Sequence, residues 1–311
     1  MSYIVPLKEC GVNMISLVGR KSAYLGEMIN VGLTVPDGFV VTTEAFREII
    51  KPLSQEIEDI LSGVNLNDQG DLERRTFLIN QKLMSLEFPE KIQTEILDTY
   101  KKMGLNYVAV RPTVSYPMGG ESFAGEYQTM LFVSEGELIQ AIKRSIASYF
   151  SPRAIAYRIG VGRSEPISLL IQKMVNADSA GTSFTKHPIT LDESIILIES
   201  SHGMGEAITE GLVTPDQYEV SKYTKSVVSR ISEKRMAVKL DFESKKVVRV
   251  PNPKSMEPSL SHNQVLSVAE MSLEVEKIFN KPVNLEWAIE ESKLYLLEVR
   301  GVRPIRGFQE I

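Results

Sequence analysis

The spacing of apolar residues changes along the chain, and this change limits the possible fold more than any other feature of the sequence. Before residue 107, apolar side chains recur at helical intervals, as Leu25, Met28 and Ile29 do. From Tyr107 onward, β-branched and alternating runs predominate, which predicts strands. Helices gathered early and strands gathered late favour an α+β fold over a repeating strand–helix–strand series.

The predicted elements follow this division. Helices are predicted over residues 21–31, 44–50, 71–84, 89–103, 135–149 and 262–279, with Thr43 as the N-cap of the second. Strands are predicted over 39–41, 107–110, 126–132, 168–174, 194–198 and parts of 216–250, and 283–289 with 294–299 read as a hairpin. Because no linker separates independent domains, residues 1–311 are expected to form a single domain with approximate subdomains 1–112 and 113–311.

The composition restricts the class of protein. Hydrophobic residues make up 43% of the chain and charged residues 24%, which is typical of a globular protein. The net charge of −5 argues against sequence-independent binding to nucleic acid or to an anionic membrane. Cys10 is the only cysteine, which excludes an intramolecular disulfide and a thiolate zinc cluster. No apolar stretch reaches the roughly 18 residues of a membrane helix, and no secretory signal is evident, so we expect a cytoplasmic location.

Two segments of the first half carry residue types that bind phosphate. Gly19 precedes Lys21 at a predicted helix start, where backbone N–H groups and an ammonium can face an anion. Arg111 ends a predicted strand beside a loop rich in proline and glycine, where its guanidinium could hold phosphates. An exposed basic pair and a surface arginine remain the alternatives. Neither a Walker A motif nor a dinucleotide-binding Gly-x-Gly-x-x-Gly motif is present.

The predicted C-terminal hairpin carries a third group of charged residues. Glu286 and Glu298 stand among apolar residues, where a carboxylate is costly unless it is paired or bound to a metal. Two carboxylates on adjacent strands suit Mg²⁺, which prefers oxygen ligands and substrate phosphates. Arg300 lies two residues beyond Glu298, so the two side chains share a strand face. A salt bridge between them explains the spacing equally well.

Taken in order, these and other segments resemble the nucleotide-binding domain of the phosphoenolpyruvate synthase, pyruvate phosphate dikinase and rifampicin phosphotransferase family. The resemblance covers about residues 11–304. The matching segments are Gly-Leu-Thr-Val-Pro-Asp-Gly-Phe-Val-Val-Thr-Thr at 32–43, Val-Ala-Val-Arg at 108–111, Ser-Phe-Ala-Gly at 122–125, Ile-Gln-Lys-Met-Val at 171–175, Gly-Met-Gly-Glu at 203–206 and Val-Thr-Pro-Asp at 213–216.

The resemblance implies an ATP-grasp-like fold, with a helix-rich N-terminal subdomain, a strand-rich C-terminal subdomain and ATP in the cleft. It implies that Lys21 and Arg111 contact the ATP phosphates and that Glu286 and Glu298 hold Mg²⁺, with Arg300 on the transferring phosphates. The matching positions expected to bind the nucleotide also include Gly125, Gln172, Met174 and Val175, the last three in the adenine pocket.

In that family the β-phosphoryl group of ATP passes to a histidine on a mobile domain, and the γ-phosphate leaves as phosphate. None of His187, His202 and His262 stands in a segment that resembles the carrier histidine, and each is expected to be structural or exposed. We therefore expect a phosphotransferase that needs a separate histidine-bearing domain or partner chain. The final acceptor, pyruvate, a phenol or another compound, stays open. The alternative is a non-catalytic nucleotide-binding relative with a regulatory or assembly role.

The sequence departs from the family pattern at three places, and the first two motivate that alternative. The Gly-Gly-Lys-Gly segment reads Gly19-Arg20-Lys21-Ser22, which lowers backbone freedom near a phosphate. The Arg-Ser-Ser-Ala segment reads Arg-Pro-Thr-Val at 111–114, and the sequence predicts that the hydroxyl groups after the arginine are lost. Glu298 replaces a glutamine and adds negative charge at the predicted metal site.

Overall fold

The fold is described from a computed structural model, which covers residues 2–114, 127, 129–160, 162 and 165–301. The described residues separate into two compact units. Unit 1 consists of residues 2–27 and 37–174, and unit 2 consists of residues 28–36 and 175–301. Each unit has its own antiparallel sheet.

Unit 1 contains most of the helices that the structure describes. Its elements, in chain order, are β1 (Ile4–Pro6), α1 (Ile15–Asn30, whose last residues belong to unit 2), β2 (Gly38–Val41), α2 (Thr43–Ile50), α3 (Ser54–Leu61), α4 (Gln69–Ser85), α5 (Glu90–Lys102), β3 (Val108–Val114), β4 (Met130–Val133), α6 (Leu138–Tyr149), α7 (Pro152–Gly160) and β5 (Ile167–Lys173). The described strands of this unit form one sheet in the order β1-β2-β5-β3-β4.

The core of unit 1 lies between this sheet and helices α2 to α7. Phe39 and Ile171, on the neighbouring strands β2 and β5, are fully buried and form a registered pair. Ile79, Ile96 and Ile142 supply the apolar sides of α4, α5 and α6 to the same cluster. The helical periodicity before residue 107 is thus explained by helices that each bury one face.

The N-cap of α2 lies one residue before the position predicted from the sequence. The side chain of Thr42, rather than that of Thr43, accepts a hydrogen bond from the backbone N of Ala45 at 3.3 Å. Thr42 has extended backbone angles, as an N-cap requires, whereas Thr43 is the first residue of α2. The hydroxyl of Thr43 instead donates to the carbonyl of Ser16 at 2.9 Å. The prediction of Thr43 as the N-cap was therefore wrong, because both threonines can cap and sequence does not rank them.

Unit 2 is rich in strands. Its elements, in chain order, are β6 (Ser179–Phe184), β7 (Ile195–His202), α8 (Glu206–Thr209), β8 (Asp216–Ser221), β9 (Val227–Arg230), β10 (Met236–Asp241), β11 (Lys246–Pro251), α9 (His262–Phe279), β12 (Val283–Glu290) and β13 (Lys293–Gly301). In the described residues the main sheet has the order β13-β12-β6-β7-β8-β9, and β10 pairs with β11. Helix α9 packs on the sheet, where Ser272 Oγ lies 2.8 Å from Ser183 Oγ of β6.

The α+β class predicted from the sequence is confirmed by these elements. The division between residues 112 and 113 is not a boundary between the compact units, which divide after Met174. Residues 112 and 113 lie inside β3, and this strand pairs with β5 over its whole length. Among the helices of the described ranges, none is both long enough and apolar enough to cross a bilayer.

Candidate functional site

The central strands of unit 1 bring two predicted site residues into contact. Arg111 lies on β3 opposite Leu170 of β5, and Gln172 lies two residues further along β5. Arg111 Nη1 donates a hydrogen bond to Gln172 Oε1 at 3.0 Å. Gln172 is 2% exposed, so the oxygen that accepts this hydrogen bond belongs to a buried side chain. Residues 61 positions apart in sequence therefore share one polar contact.

The segment that carries Lys21 is anchored to the same strands. Helix α1 is interrupted at Gly19, which has φ +74 and ψ 160, so the second part of the helix starts just before Lys21. The backbone N of Lys21 donates to Thr113 Oγ1 at 3.1 Å. Thr113 is 5% exposed and stands two residues after Arg111 on β3. The start of this helix is thus tied to the strand that carries the predicted phosphate-binding arginine.

The contact with Thr113 corrects one expectation. The sequence predicted that the hydroxyls following Arg111 were lost, but Thr113 retains a hydroxyl, and it accepts from the backbone of Lys21. The signal in the sequence was the threonine itself, which stands where the family has its second serine. Pro112 remains the one position of the pair without a hydroxyl.

The other predicted adenine-side residues lie at the end of β5. Met174 is 9% exposed, and its Sδ accepts from the backbone N of Phe132 at 3.1 Å. Val175 begins the unit 2 segment and packs against an apolar cluster of Ala177, Ala180 and Ala288. Gly125 lies outside the described residues.

The hairpin of β12 and β13 brings the acidic and basic residues of unit 2 together. Glu286 pairs with Glu298 in register, and Asn284 pairs with Arg300. Arg300 Nε donates to Glu298 Oε1 at 2.7 Å, and Arg300 Nη2 lies 3.0 Å from Glu286 Oε1. The side chains of Arg300 and Glu286 are 33% and 29% exposed, whereas that of Glu298 is 8% exposed. The salt bridge that the spacing allowed is therefore present, and it involves both carboxylates.

These contacts stabilise the charged form of the arginine. Burial by itself would lower the pKa of Arg300, but the hydrogen bond to Glu298 and the charge of Glu286 outweigh this effect. The pKa of Arg300 is therefore raised above its ordinary value, and the guanidinium keeps its positive charge. The hairpin group carries two carboxylates against one guanidinium.

An uncharged oxygen completes this face of the hairpin. Asn284 lies two residues before Glu286 and therefore on the same face of β12. Its Oδ1 is buried, and within the described part of the chain no hydrogen-bond donor reaches it. No group of three or more histidine, cysteine, aspartate or glutamate side chains with metal-binding proximity occurs among the described residues. Two carboxylates beside an unsatisfied amide oxygen fit Mg²⁺ when substrate oxygens and water complete its shell.

The polar face continues across the sheet beyond the hairpin. Thr182 of β6 pairs in register with Glu286, and Glu199 of β7 pairs with Thr182. Gln217 of β8 follows in the same row, and its Nε2 donates to Glu199 Oε1 at 2.9 Å. These residues were not predicted from the sequence, because only the pairing of four strands aligns them. Alternation of polar and apolar residues along β8 was the available signal for Gln217.

The three histidines have local roles in the structure. His202 is half-buried, and its Nδ1 lies 3.1 Å from Asn252 Nδ2, which also donates to the carbonyl of Lys234. Burial and the charge of Lys234 lower the pKa of His202, so it is neutral at pH 7. His187 Nδ1 accepts from the backbone N of Thr190 at 3.1 Å. His262 is the first residue of α9.

The segment around Lys21, whose backbone is bonded to Thr113, is one feature typical of a nucleotide-binding protein. The hairpin of β12 and β13, with its carboxylates and amide oxygen, is another. The sequence profile of the pyruvate phosphate dikinase AMP/ATP-binding domain matches residues 15–306. The chain belongs to this family. It is an ATP-binding domain of the phosphoenolpyruvate synthase and pyruvate phosphate dikinase type, which confirms the family that the motifs predicted.

Curated relatives agree with the profile. The chain is 35% identical to the "Probable phosphoenolpyruvate synthase" of Methanocaldococcus jannaschii, over 98% of this chain and 27% of the relative. It is 36% identical to the protein of that name from Archaeoglobus fulgidus, over 96% of this chain and 41% of the relative. For the "Phosphoenolpyruvate synthase" of Aeropyrum pernix the identity is 34%, over 92% and 40%. The chain therefore spans between about a quarter and two-fifths of these relatives.

Among solved structures, the D-alanine–D-alanine ligase of Bacillus anthracis aligns with a TM-score of 0.39 and 10% sequence identity. The alignment covers 95% of this chain and 58% of the ligase. A TM-score this low does not support a structural assignment, so the family assignment rests on the sequence matches.

Proposed function

We propose that the chain is the Mg²⁺- and ATP-binding domain or subunit of a phosphotransferase similar to phosphoenolpyruvate synthase. In this proposal the β-phosphoryl group of ATP passes to a histidine on a separate domain or partner chain. AMP and inorganic phosphate are the other products, and one water is consumed. The family membership and the similarity to named phosphoenolpyruvate synthases support the reaction class.

The observation that carries the proposal lies in unit 1. Lys21, Arg111 and Gln172 are far apart in sequence, and each was predicted to bind the nucleotide. The backbone of Lys21 contacts Thr113 on the strand of Arg111, and Arg111 contacts Gln172. We assign Lys21 and Arg111 to the phosphates, because an ammonium and a guanidinium on fixed backbone neutralise phosphate charge without having to reorganise. We assign Gln172 and Met174, with Val175 after them, to the adenine side.

In unit 2 we assign Glu286, Glu298 and the amide oxygen of Asn284 to Mg²⁺. When bound there, the ion supplies positive charge to phosphate oxygens. Arg300 has a separate role. Its guanidinium is positively charged, and its contacts with Glu286 and Glu298 hold it in one orientation. From that position it stabilises the charge that develops on a transferring phosphoryl group.

Titration calorimetry with Mg²⁺ and ATP or AMP tests the proposal. The parent protein is expected to bind ATP saturably. Lys21→Ala and Arg111→Ala are each expected to weaken ATP binding by roughly ten- to a hundredfold, as the loss of a charged hydrogen-bonding group does. Lys101→Ala is the matched control, since Lys101 is exposed on α5 and pairs with Glu135 at 3.0 Å. The absence of saturable ATP binding by the parent protein would refute the proposed function.

One observation favours a second candidate function, nucleotide binding without turnover. Arg300 contacts both carboxylates of the hairpin, and Glu298 stands where the family has a glutamine. A guanidinium can thus balance charge that a metal ion would otherwise balance. The two functions are separated by measuring phosphate release from ATP with the histidine-bearing domain of a full-length relative. Binding of ATP that survives removal of Mg²⁺, without phosphate release, would favour the non-catalytic function.

A further inference from the structure

Two hydroxyl groups on the central strands of unit 1 lie directly against Gly19, two residues before Lys21. Thr113 of β3 and Ser168 of β5 are registered partners, so their side chains lie next to each other on one sheet face. Both are nearly or fully inaccessible to solvent, at 5% and 0% exposure. Gly19 rests directly on this pair.

The fit around Gly19 leaves no space for a side chain. A Cβ built on Gly19 would come within 2.7 Å of Ser168 Oγ and within 2.7 Å of Thr113 Oγ1. Its φ of +74 is also a conformation that residues with a Cβ rarely adopt. This explains why the chain keeps a glycine here although it lacks the other glycines of the family segment. The backbone at Gly19 is thus fixed by close contact rather than left flexible.

One of these two hydroxyl groups, that of Thr113, also accepts a hydrogen bond from the backbone. Two residues after Gly19, the backbone N of Lys21 donates to Thr113 Oγ1 at 3.1 Å. This hydroxyl thus accepts from a backbone N–H close to the start of the second part of the helix. The bond joins residues 92 positions apart and is the tertiary equivalent of a helix cap.

The same strands carry the predicted ligands of the nucleotide. Thr113 and Arg111 are two residues apart on β3 and project from one face. Ser168 and Gln172, four residues apart, share the corresponding face of β5. The Arg111–Gln172 hydrogen bond and the Lys21–Thr113 hydrogen bond therefore stand on one pair of strands. Positions along a pleated sheet are fixed to a fraction of an ångström, as phosphate binding by separate groups requires.

We propose that Thr113 is a positioning residue for ATP binding. Its hydroxyl fixes the backbone at Lys21 relative to Arg111, so that the ammonium and the guanidinium meet the same phosphates. This inference rests on the proposed function. Neither hydroxyl is required to touch the nucleotide. Loss of the Thr113 hydroxyl leaves the N–H of Lys21 without this acceptor and frees the segment to shift.

The test uses a set of substitutions that separates the hydroxyl from the shape of the side chain. Thr113→Val keeps the β-branched shape but removes the hydroxyl, and is expected to raise the Kd for ATP roughly five- to tenfold. Thr113→Ser restores the hydroxyl and is expected to keep the Kd within about twofold of the parent value. Thr76→Val is the control, since Thr76 is equally buried in unit 1 but donates to the carbonyl of Glu73 within α4. It is expected to leave the Kd unchanged.

Amide hydrogen exchange at Lys21, without nucleotide, gives a second readout. Thr113→Val is expected to speed exchange of this amide, whereas Thr113→Ser and Thr76→Val are not. The inference is overturned if Thr113→Val binds ATP like the parent protein while Lys21→Ala loses binding, a result that leaves the proposed function standing. It is equally overturned if Thr113→Ser is as impaired as Thr113→Val. If the parent protein does not bind ATP, the proposed function fails and this inference fails with it.

Discussion

Two of the ion clusters in unit 2 differ in how completely the surrounding residues satisfy their charges. The first is the pair of Asp216, at the start of β8, and Lys234, whose side chains are both 0% exposed. The second is the hairpin group, in which Glu286 and Arg300 remain partly exposed and Glu298 is buried. Both groups are compact ion clusters, but only one has the properties of a binding site.

The buried pair is surrounded by matched donors. Lys234 Nζ donates to Asp216 Oδ1 at 2.6 Å, and the backbone N of Ser232 donates to the same oxygen at 2.9 Å. The backbone N and the hydroxyl of Ser259 donate to Asp216 Oδ2 at 2.8 and 2.7 Å. Burial by itself would raise the pKa of Asp216, but these hydrogen bonds outweigh it and the pKa is lowered.

The hairpin group is arranged differently. Its two carboxylates share one guanidinium, and the neighbouring Oδ1 of Asn284 is buried without a donor from the described residues. A buried ion pair that is fully hydrogen-bonded has a structural role, because any ligand would have to displace bonds already made. A group with excess negative charge, an unsatisfied oxygen and access to solvent is suited to bind a cation. The buried pair therefore has the properties of a structural cluster, and the hairpin group has those expected of the proposed metal site.

The largest effect is expected for Asp216→Asn. The substitution leaves the charge of Lys234 buried and without its carboxylate, and is expected to lower the free energy of unfolding by about 3–5 kcal/mol. Urea denaturation followed by circular dichroism measures this change. Glu233→Gln is the control, because Glu233 pairs with Arg235 on the surface and should leave the urea midpoint unchanged. Equal effects of the two substitutions would refute the structural role of the buried pair.

The pH dependence of the same pair gives the next test. The pKa of Asp216 in the folded protein lies below its ordinary value of 3.8. Its contribution to stability is therefore complete above about pH 4 and is lost as the pH falls through the folded-state pKa. The difference in urea midpoint between the parent protein and Asp216→Asn is expected to be constant near neutral pH and to shrink below about pH 4. A difference that grows in acid would contradict the assignment.

In the hairpin group, substitution should affect ligand binding more than stability. Glu286→Gln is expected to raise the Kd for ATP in the presence of Mg²⁺ roughly tenfold, because it removes a charged oxygen from the proposed metal site. Glu298→Gln, which introduces the family's residue, is expected to change the Kd less than Glu286→Gln does. Glu243→Gln, in the turn between β10 and β11, is the matched control. A loss of stability without a loss of ATP affinity in Glu286→Gln would place the hairpin with the structural cluster.

The smallest effect is expected for Asn284→Ala. Since no donor from the described residues reaches its Oδ1, the substitution should leave the free energy of unfolding nearly unchanged. If this oxygen is a ligand, the Mg²⁺ concentration for half-maximal ATP binding should rise about threefold, as the loss of one neutral contact does. An unchanged Mg²⁺ requirement would remove Asn284 from the proposed site.

Several elements were predictable because their signals are local. Helix α9, at His262–Phe279, and the hairpin of β12 and β13 agree closely with the prediction, since regular apolar spacing and turn residues mark them. Helices α3 and α7 were not predicted, because each is short and its apolar face is defined mainly by what it packs against. The N-cap at Thr42 was missed for a related reason, since two adjacent threonines offer the same hydroxyl.

The candidate site shows the same division. Lys21, Arg111, Gln172, Met174, Val175, Glu286, Glu298 and Arg300 were predicted from the order of motifs, and their roles remain proposals, as does the role of Gly125. Thr113, Ser168, Asn284, Glu199 and Gln217 were not singled out. The role of each depends on the residues that strand pairing brings next to it, and these are remote in sequence.

By itself, the sequence determined the α+β class, the family and the order of the segments that carry charge, because these depend on residue type and on local spacing. Only the tertiary structure decided which charges are balanced. It placed the Thr113 hydroxyl under the backbone of Lys21, and it buried Asp216 with Lys234 while leaving Glu286 of the hairpin partly exposed. The physical reason is that the energy of a charge or a hydroxyl depends on its neighbours and its exposure to water, and strand pairing sets both.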